Sequence, residues 1–255
     1  MSAIISIVNN KGGVGKTTLA CNLGHCLAQA GKRTLVVDMD SQCNASGTLL
    51  GEEPEMTIYE LYTSDDVKTP DCIHPSKYEN LDVLPSAPEA FVLESEFAKK
   101  PGKGFHLLHD KLAPYAREHY DVTILDSPPN LGMYAVQGLV CSDYVIVPIE
   151  CGSRYAIDGL KRIIDTILEI KDKTNPGLKD VRILVNRLDR RTTVGKLSNL
   201  RLRKTFGDRV FNAIIPINSS IQQAEMAGCS VVDFAPSSTG AFNYRLLTKE
   251  LLAVI

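Results

Sequence analysis

Short apolar runs, nearly unbroken, alternate along this chain with longer amphipathic segments. The runs at 3–8 (AIISIV), 33–38 (RTLVVD), 81–85 (LDVLP), 121–126 (DVTILD), 143–149 (DYVIVPI), 181–186 (VRILVN) and 210–216 (VFNAIIP) are rich in β-branched residues. Strands covered on both faces of a parallel sheet carry this pattern, because neither face needs a polar register. Helical periodicity predicts helices over 16–30, 104–118, 153–171, 194–206 and 240–253. Gly31 is the expected C-terminal stop of the first. Strand and helix in alternation predict an α/β fold, a doubly wound, mostly parallel sheet with helices on both faces. Residues 51–80, with Pro54, Pro70 and Pro75 and many acids, predict loops and short helices. No linker or repeat divides the chain, so a single domain over 1–255 is expected.

Composition narrows the class without naming it. The chain has 255 residues, 44% apolar and 23% charged, with a net charge of −2. Seven cysteines (Cys21, Cys26, Cys43, Cys72, Cys141, Cys151, Cys229) form no CxxC pair and no zinc spacing. Free thiols in apolar runs predict a reducing, cytoplasmic setting. The start MSAIISIVNN lacks the charge and apolar length of a signal peptide. The five histidines, His106 and His109 included, have no metal spacing.

The stretch NNKGGVGKTT (9–18) carries the chemistry. It follows a buried strand and opens a helix, the setting a P-loop nucleotide triphosphatase requires. Gly12, Gly13, Val14 and Gly15 form a loop whose N–H groups can turn inward onto phosphate, and the helix start at Lys16, Thr17 and Thr18 adds its positive dipole end. Lys16 is the candidate for the β- and γ-phosphates, and Thr17 for Mg²⁺. The strict motif has Gly at position 10, where this chain has Asn10. Asp38 and Asp40 in VVDMD, and Asp126 in ILDSPP, end two strands. They would face the ligand crevice of a doubly wound sheet. Asp38 and Asp126 are the candidate carboxylates beside the metal. Lys11 is a second lysine in the same loop, and one nucleotide has little use for both.

The stretches KGGVGKTT (11–18), VVDMDSQCNAS (36–46), ILDSPP (124–129) and IPINSSIQQAEMAGCSVVDFAPSSTGAFNY (215–244) resemble the ParA/MinD family of deviant Walker ATPases, over nearly the whole chain. The resemblance implies ATP and Mg²⁺ as ligands and a homodimer closed face to face around two ATP molecules. Lys11 would then reach the phosphates held by the partner subunit. The physical logic is a cation supplied in trans to charge developing on phosphoryl oxygens. By position, Asp40 resembles the residue that orients the attacking water. Asn186 and the adjoining Arg187 resemble one wall of the adenine pocket, and Pro216 and Asn218 the other. A ParB-like or cargo-adaptor partner is implied as the stimulator of hydrolysis.

Charge is uneven. Residues 187–209 hold eight basic and two acidic residues in a chain of net −2. Arg190, Arg191, Lys196, Arg201, Arg203 and Lys204 are candidate contacts to nonspecific DNA, which asks for phosphate-directed cations and no base reading. Lys196 and Arg203 are expected on one helix face, with Leu197, Leu200 and Phe206 turned inward. Arg191 falls where the family has a DNA-binding arginine; a second family arginine falls at Ile217, which is not basic. DNA binding would make the protein nucleoid-associated.

Two alternatives use the same scaffold. A MinD-like membrane switch would need a basic amphipathic C-terminal helix, whereas YRLLTKELLAVI has two basic residues and reads as a docked core helix. A metabolic or redox enzyme, with a cluster between subunits as in nitrogenase iron protein, would need paired cysteines. Cys141 and Cys151 have no matching cysteine before the Asp126 strand, and core packing is expected of them.

Overall fold

The computed structural model describes residues 2–99, 104–152 and 156–255. In chain order the elements are β1 (Ala3–Ile7), α1 (Lys16–Gln29), β2 (Thr34–Asp38), α2 (Asn44–Leu49), α3 (Ile58–Thr63), β3 (His74–Pro75), β4 (Leu81–Leu84), α4 (Ala90–Lys99), α5 (Leu107–His119), β5 (Val122–Asp126), α6 (Met133–Cys141), β6 (Tyr144–Glu150), α7 (Ala156–Lys173), β7 (Asp180–Leu188), α8 (Thr193–Phe206), β8 (Val210–Pro216), α9 (Ser219–Met226), α10 (Val231–Phe234) and α11 (Thr239–Leu252). The strands form one eight-stranded sheet in the order β3-β4-β2-β5-β1-β6-β7-β8. Only the β3–β4 pair is antiparallel. After β1 the chain moves to one side of the sheet and after β5 to the other, so the order reverses beside β1. A ligand crevice opens at such a reversal.

Each predicted strand forms, within one or two residues. β1, β2 and β5 are buried at every position, as strands covered on both faces must be. α1 packs hard against them: a side chain at Gly24 would come within 2.8 Å of Val36 Cγ2. α1, α2 and α9–α11 share one core layer with the sheet. α3–α8 cover the other face in two adjoining clusters. α7 is amphipathic, burying Ile157, Leu160, Ile163, Ile164 and Ile167 at helical spacing. Each fully buried side chain of this kind contributes roughly 1.5–3 kcal/mol. Residues 153–155, the expected start of that helix, lie outside the described residues.

The differences from expectation have local causes. The poorly patterned 51–80 contains α3, started by a capping box in which Thr57 and Glu60 bond reciprocally, and a 3₁₀ turn at Thr69–Cys72. α2, α4, α6, α9 and α10 are short, so few turns of periodicity announce them. α11 is docked as expected, burying Tyr244, Leu247 and Leu251. α8 departs most. Only Gly195 and Leu202 of it are buried; Leu197 and Leu200 are 60% and 63% exposed, not turned inward. α8 covers the edge of the sheet, where there is too little surface to take both leucines.

α1 is tied to the C-terminal helices by His25. Its ring stacks on Tyr78 at 3.8 Å between centroids, Nδ1 meets the Ser230 hydroxyl and Nε2 meets Gln29. Burial holds its pKa below the ordinary 6.5; Asp233 opposes that shift and Arg245 reinforces it. The unfolded chain therefore binds the proton more readily. Stability is fully present above pH 6.5 and falls as the pH drops below it, through the folded-state pKa. Urea titrations between pH 7.5 and 5 are expected to show this loss, and His25→Gln to reduce it.

Candidate nucleotide site

β1 delivers the chain to the crevice, and the loop after it curls because Gly13 and Gly15 adopt φ of 74° and 81°. Gly15 is doubly required: a Cβ there would lie 2.7 Å from Asn186 Nδ2. The first turn of α1 has no side-chain cap, so its free N–H groups remain available to an anion. Gly12, Gly13, Gly15, Lys16, Thr17 and Thr18 line a crevice of about 410 Å³ together with Asp40. Lys16 is only 6% exposed. Its Nζ donates to the Lys11 carbonyl at 3.4 Å. Burial lowers its pKa, while Asp126 and Asp40 pull it back up.

Asp38 and Asp126 are paired in register on adjacent parallel strands, so their side chains share a face. Both are fully buried and both carboxyls are pushed up, chiefly by desolvation and, for Asp126, next by the Asp38 charge. They differ in partners. Asp38 Oδ2 accepts from the Ser46 amide at 2.9 Å and hydroxyl at 2.7 Å, and Oδ1 accepts from the Asp40 amide at 3.1 Å. Its hydrogen bonds clasp the Asp40 loop to α2, a positioning job, while its register with Asp126 keeps it beside the expected metal position. Neither oxygen of Asp126 has a partner at hydrogen-bond geometry among the described residues. The Thr17 hydroxyl and Lys16 both lie near enough to favour its charged form. A buried, partnerless carboxylate beside a hydroxyl and below a phosphate crevice fits a hydrated cation. The described residues contain no cluster of three His, Cys, Asp or Glu able to hold a metal. Mg²⁺ here would draw its other ligands from phosphate and water, as this ion commonly does.

Asn186, Arg187, Pro216 and Asn218 come together, as expected, and line a second cleft with Ile215, Ile217 and Tyr244. That cleft holds about 30 Å³, room for little more than a water or two. Asn186 Nδ2 donates to the Val14 carbonyl at 2.7 Å, closing the cleft onto the loop. Asn218 caps α9 through Ile221 N and donates to Thr239 Oγ1. A base entering here must move the Asn186 side chain or the β8–α9 turn. Arg187 (φ 52°) and Cys43 (φ 54°) hold left-handed conformations at the edges of the site, a strain that tightly determined surroundings sustain.

Lys11 stands apart. It does not line the phosphate crevice. Its Nζ pairs with Glu150 Oε2 at 3.1 Å at the end of β6, and its amide donates to Asn9 Oδ1. Glu150 and the Asp38–Ser46 clasp went unseen in the sequence; Ser46 could have been found only as the last residue of the VVDMDSQCNAS stretch.

The basic stretch divides. Arg190, Lys196, Arg201 and Lys204 are exposed and form no ion pair among the described residues. Arg191 is engaged by Asp189. Arg203 is half-buried, and its guanidinium donates to Asn199 Oδ1 and the Phe211 and Asn212 carbonyls. It does not share a free face with Lys196, because the gap at the β8 edge takes it. The seven cysteines are free; Cys141 and Cys151 are buried. No described helix is long and apolar enough to cross a membrane.

A phosphate loop on a parallel sheet, with a buried lysine and strand-end carboxylates, defines a P-loop nucleotide-binding protein. The profile of a family described as an AAA domain matches residues 2–180. The sporulation initiation inhibitor protein Soj of Bacillus subtilis is 36% identical, over 99% of each chain. The chromosome-partitioning ATPase Soj of Thermus thermophilus is 35% identical, over 98% of this chain and 95% of its own. Cobyrinic acid a,c-diamide synthase from Mycobacterium smegmatis, solved with an ATP analogue and magnesium, superposes with a TM-score of 0.82 at 27% identity, over 99% of this chain and 95% of its own. The chain belongs to this family, as a ParA/MinD-type ATPase.

Proposed function

We propose that the chain is an ATP-hydrolysing switch of the chromosome- or cargo-positioning kind. In this reading, Mg-ATP fills the crevice of each of two copies and the copies close face to face. The dimer holds DNA without reading sequence, and a ParB-like or adaptor protein speeds hydrolysis and release. The reading places it in the cytoplasm, on the nucleoid. The observation that carries it is the split between the two lysines. Lys16 is buried in its own crevice, while Lys11 is 60% exposed and directed to Glu150 at the loop's outer side. A loop lysine that is exposed and turned away from its own crevice is suited to a partner's phosphates. Two Soj relatives, one called a chromosome-partitioning ATPase, support the positioning role.

Under this proposal Thr17 and Asp126, with Asp38 beside them, would hold Mg²⁺, whose charge would offset that of the phosphates. Lys16 holds those oxygens from its own side. Asp40, on a loop clasped by Asp38 and Ser46, orients water. The γ-phosphate can favour the closed pair only through contacts the open state lacks, and the partner's Lys11 supplies such a contact.

DNA retention is the test. With ATP, the wild type is expected to bind duplexes of unrelated sequence equally, and more weakly as salt rises. Reversing Arg190, Lys196, Arg201 and Lys204 to Glu should abolish retention. Each lost phosphate contact should flatten the log–log salt slope by about 0.9. Retention without ATP, or undiminished in the variant, contradicts the proposal. Arg203→Ala is expected to lower the melting temperature, since it bonds the β8 backbone.

A further inference from the structure

We infer that Glu225 on α9 reads the ribose of the bound nucleotide, an assignment that rests on the adenine-nucleotide reading above. The phosphate crevice and the base cleft are continuous. They share Gly15, Thr18, Arg187, Ile221 and Glu225 as lining residues. A nucleotide with phosphates on the Gly12–Thr17 loop and its base between Asn186 and Pro216 must set its sugar at that shared stretch.

The chemistry of the five then selects one. Gly15 and Ile221 offer the sugar no polar side chain. Thr18 is on the first turn of α1, on the phosphate side. Arg187 is a donor only. The 2′- and 3′-hydroxyls of ribose are donors in search of acceptors, and Glu225 alone of the five is acceptor-only. Its carboxylate makes no hydrogen bond or ion pair among the described residues and is exposed. Hydroxyl-to-carboxylate bonds are among the stronger ones.

Glu225 also stands on a fixed platform. α9 begins at an Asn218 cap and buries Ile221 and Ala224. α11 closes on Ile221 where Gly240 has no side chain: a Cβ there would lie 2.8 Å from Ile221 Cγ1. Glu225 lies four residues after Ile221, so the two share a helix face. Glu225 lines the trough on both sides of the join, in the phosphate crevice and in the base cleft.

Calorimetric titration with ADP, 2′-deoxy-ADP and 3′-deoxy-ADP, each with Mg²⁺, tests the assignment without hydrolysis or dimer closure. The wild type is expected to bind ADP roughly tenfold more tightly than at least one deoxy analogue, the range of one hydrogen bond to a charged group. Glu225→Ala should bring ADP down to the analogue's affinity, with an unchanged melting temperature. Equal binding of all three by the wild type overturns the assignment, as does a preference that survives in Glu225→Ala. Failure of all three to bind would remove the adenine-nucleotide reading itself, and the assignment with it. A wild type that binds ADP without preferring it removes only the role of Glu225.

Discussion

Lys16→Ala is expected to yield a folded protein that no longer retains ATP. The side chain is buried, yet its only hydrogen bond among the described residues is a long one to the Lys11 carbonyl, so little native structure depends on it. What it supplies is charge. Asp126 lies behind the crevice with no hydrogen-bond partner among the described residues, and Asp38 and Asp40 add to the negative field there. Lys16 is the cation that offsets this field at the loop. Without it, a triphosphate would approach Asp40 at the crevice wall and Asp126 behind it with no cation between. Each lost bond between ammonium and phosphate weakens binding by roughly 10- to 100-fold. Turnover should fall by roughly 10² to 10³, the usual effect of deleting a group aimed at developing charge. Calorimetry with ATP and a steady-state phosphate assay check both. Unchanged affinity would mean that the crevice is not the phosphate site.

Asp40→Ala is expected to give the opposite phenotype: ATP bound and not consumed. Asp40 lines the phosphate crevice. The hydrogen bond from Asp40 to the clasp uses its backbone amide, donated to Asp38 Oδ1, which alanine keeps. The substitution removes one turn contact, from the Gln42 amide to Oδ1, and the carboxylate that would hold water. The cost in turnover should be roughly 10² to 10⁴, as for an acid–base or water-orienting group. ATP affinity should hold or rise, because one negative charge leaves the crevice. The ATP-bound dimer should therefore accumulate. A variant that turns over normally would assign the water to another group.

How much of this could be read from residues alone follows physical range. The seven strands and the phosphate loop were legible because both are local patterns: unbroken apolarity, and glycines between a strand and a helix. Asp40 and Asp126 were legible because strand ends meet at one edge of a parallel sheet. Asp38 was legible as a strand-end carboxylate, but its clasp was not, since Ser46 sits eight residues on, in a six-residue helix that no periodicity marks. Arg203 hid its anchoring for a similar reason. Its carbonyl partners, at Phe211 and Asn212, are visible only once β8 lies beside α8. Leu197 and Leu200 show the limit of amphipathic reasoning at a sheet edge. A helix can have an apolar stripe and lack a surface to bury it.

The central claim is that Lys11 acts across a subunit boundary, so that nucleotide state and pairing form one equilibrium. Its ion pair with Glu150 is solvent-exposed, worth at most about 1 kcal/mol, and so releases the side chain readily. Sedimentation velocity tests this directly, with wild type and Lys11→Ala each measured alone, with ADP and with a non-hydrolysable ATP analogue. The account predicts that the wild type is a monomer except with the ATP analogue, where it sediments as a dimer. Lys11→Ala should bind the analogue and remain monomeric. A Lys11→Ala protein that dimerises as fully as the wild type, or a wild type that stays monomeric when saturated with the analogue, would contradict it.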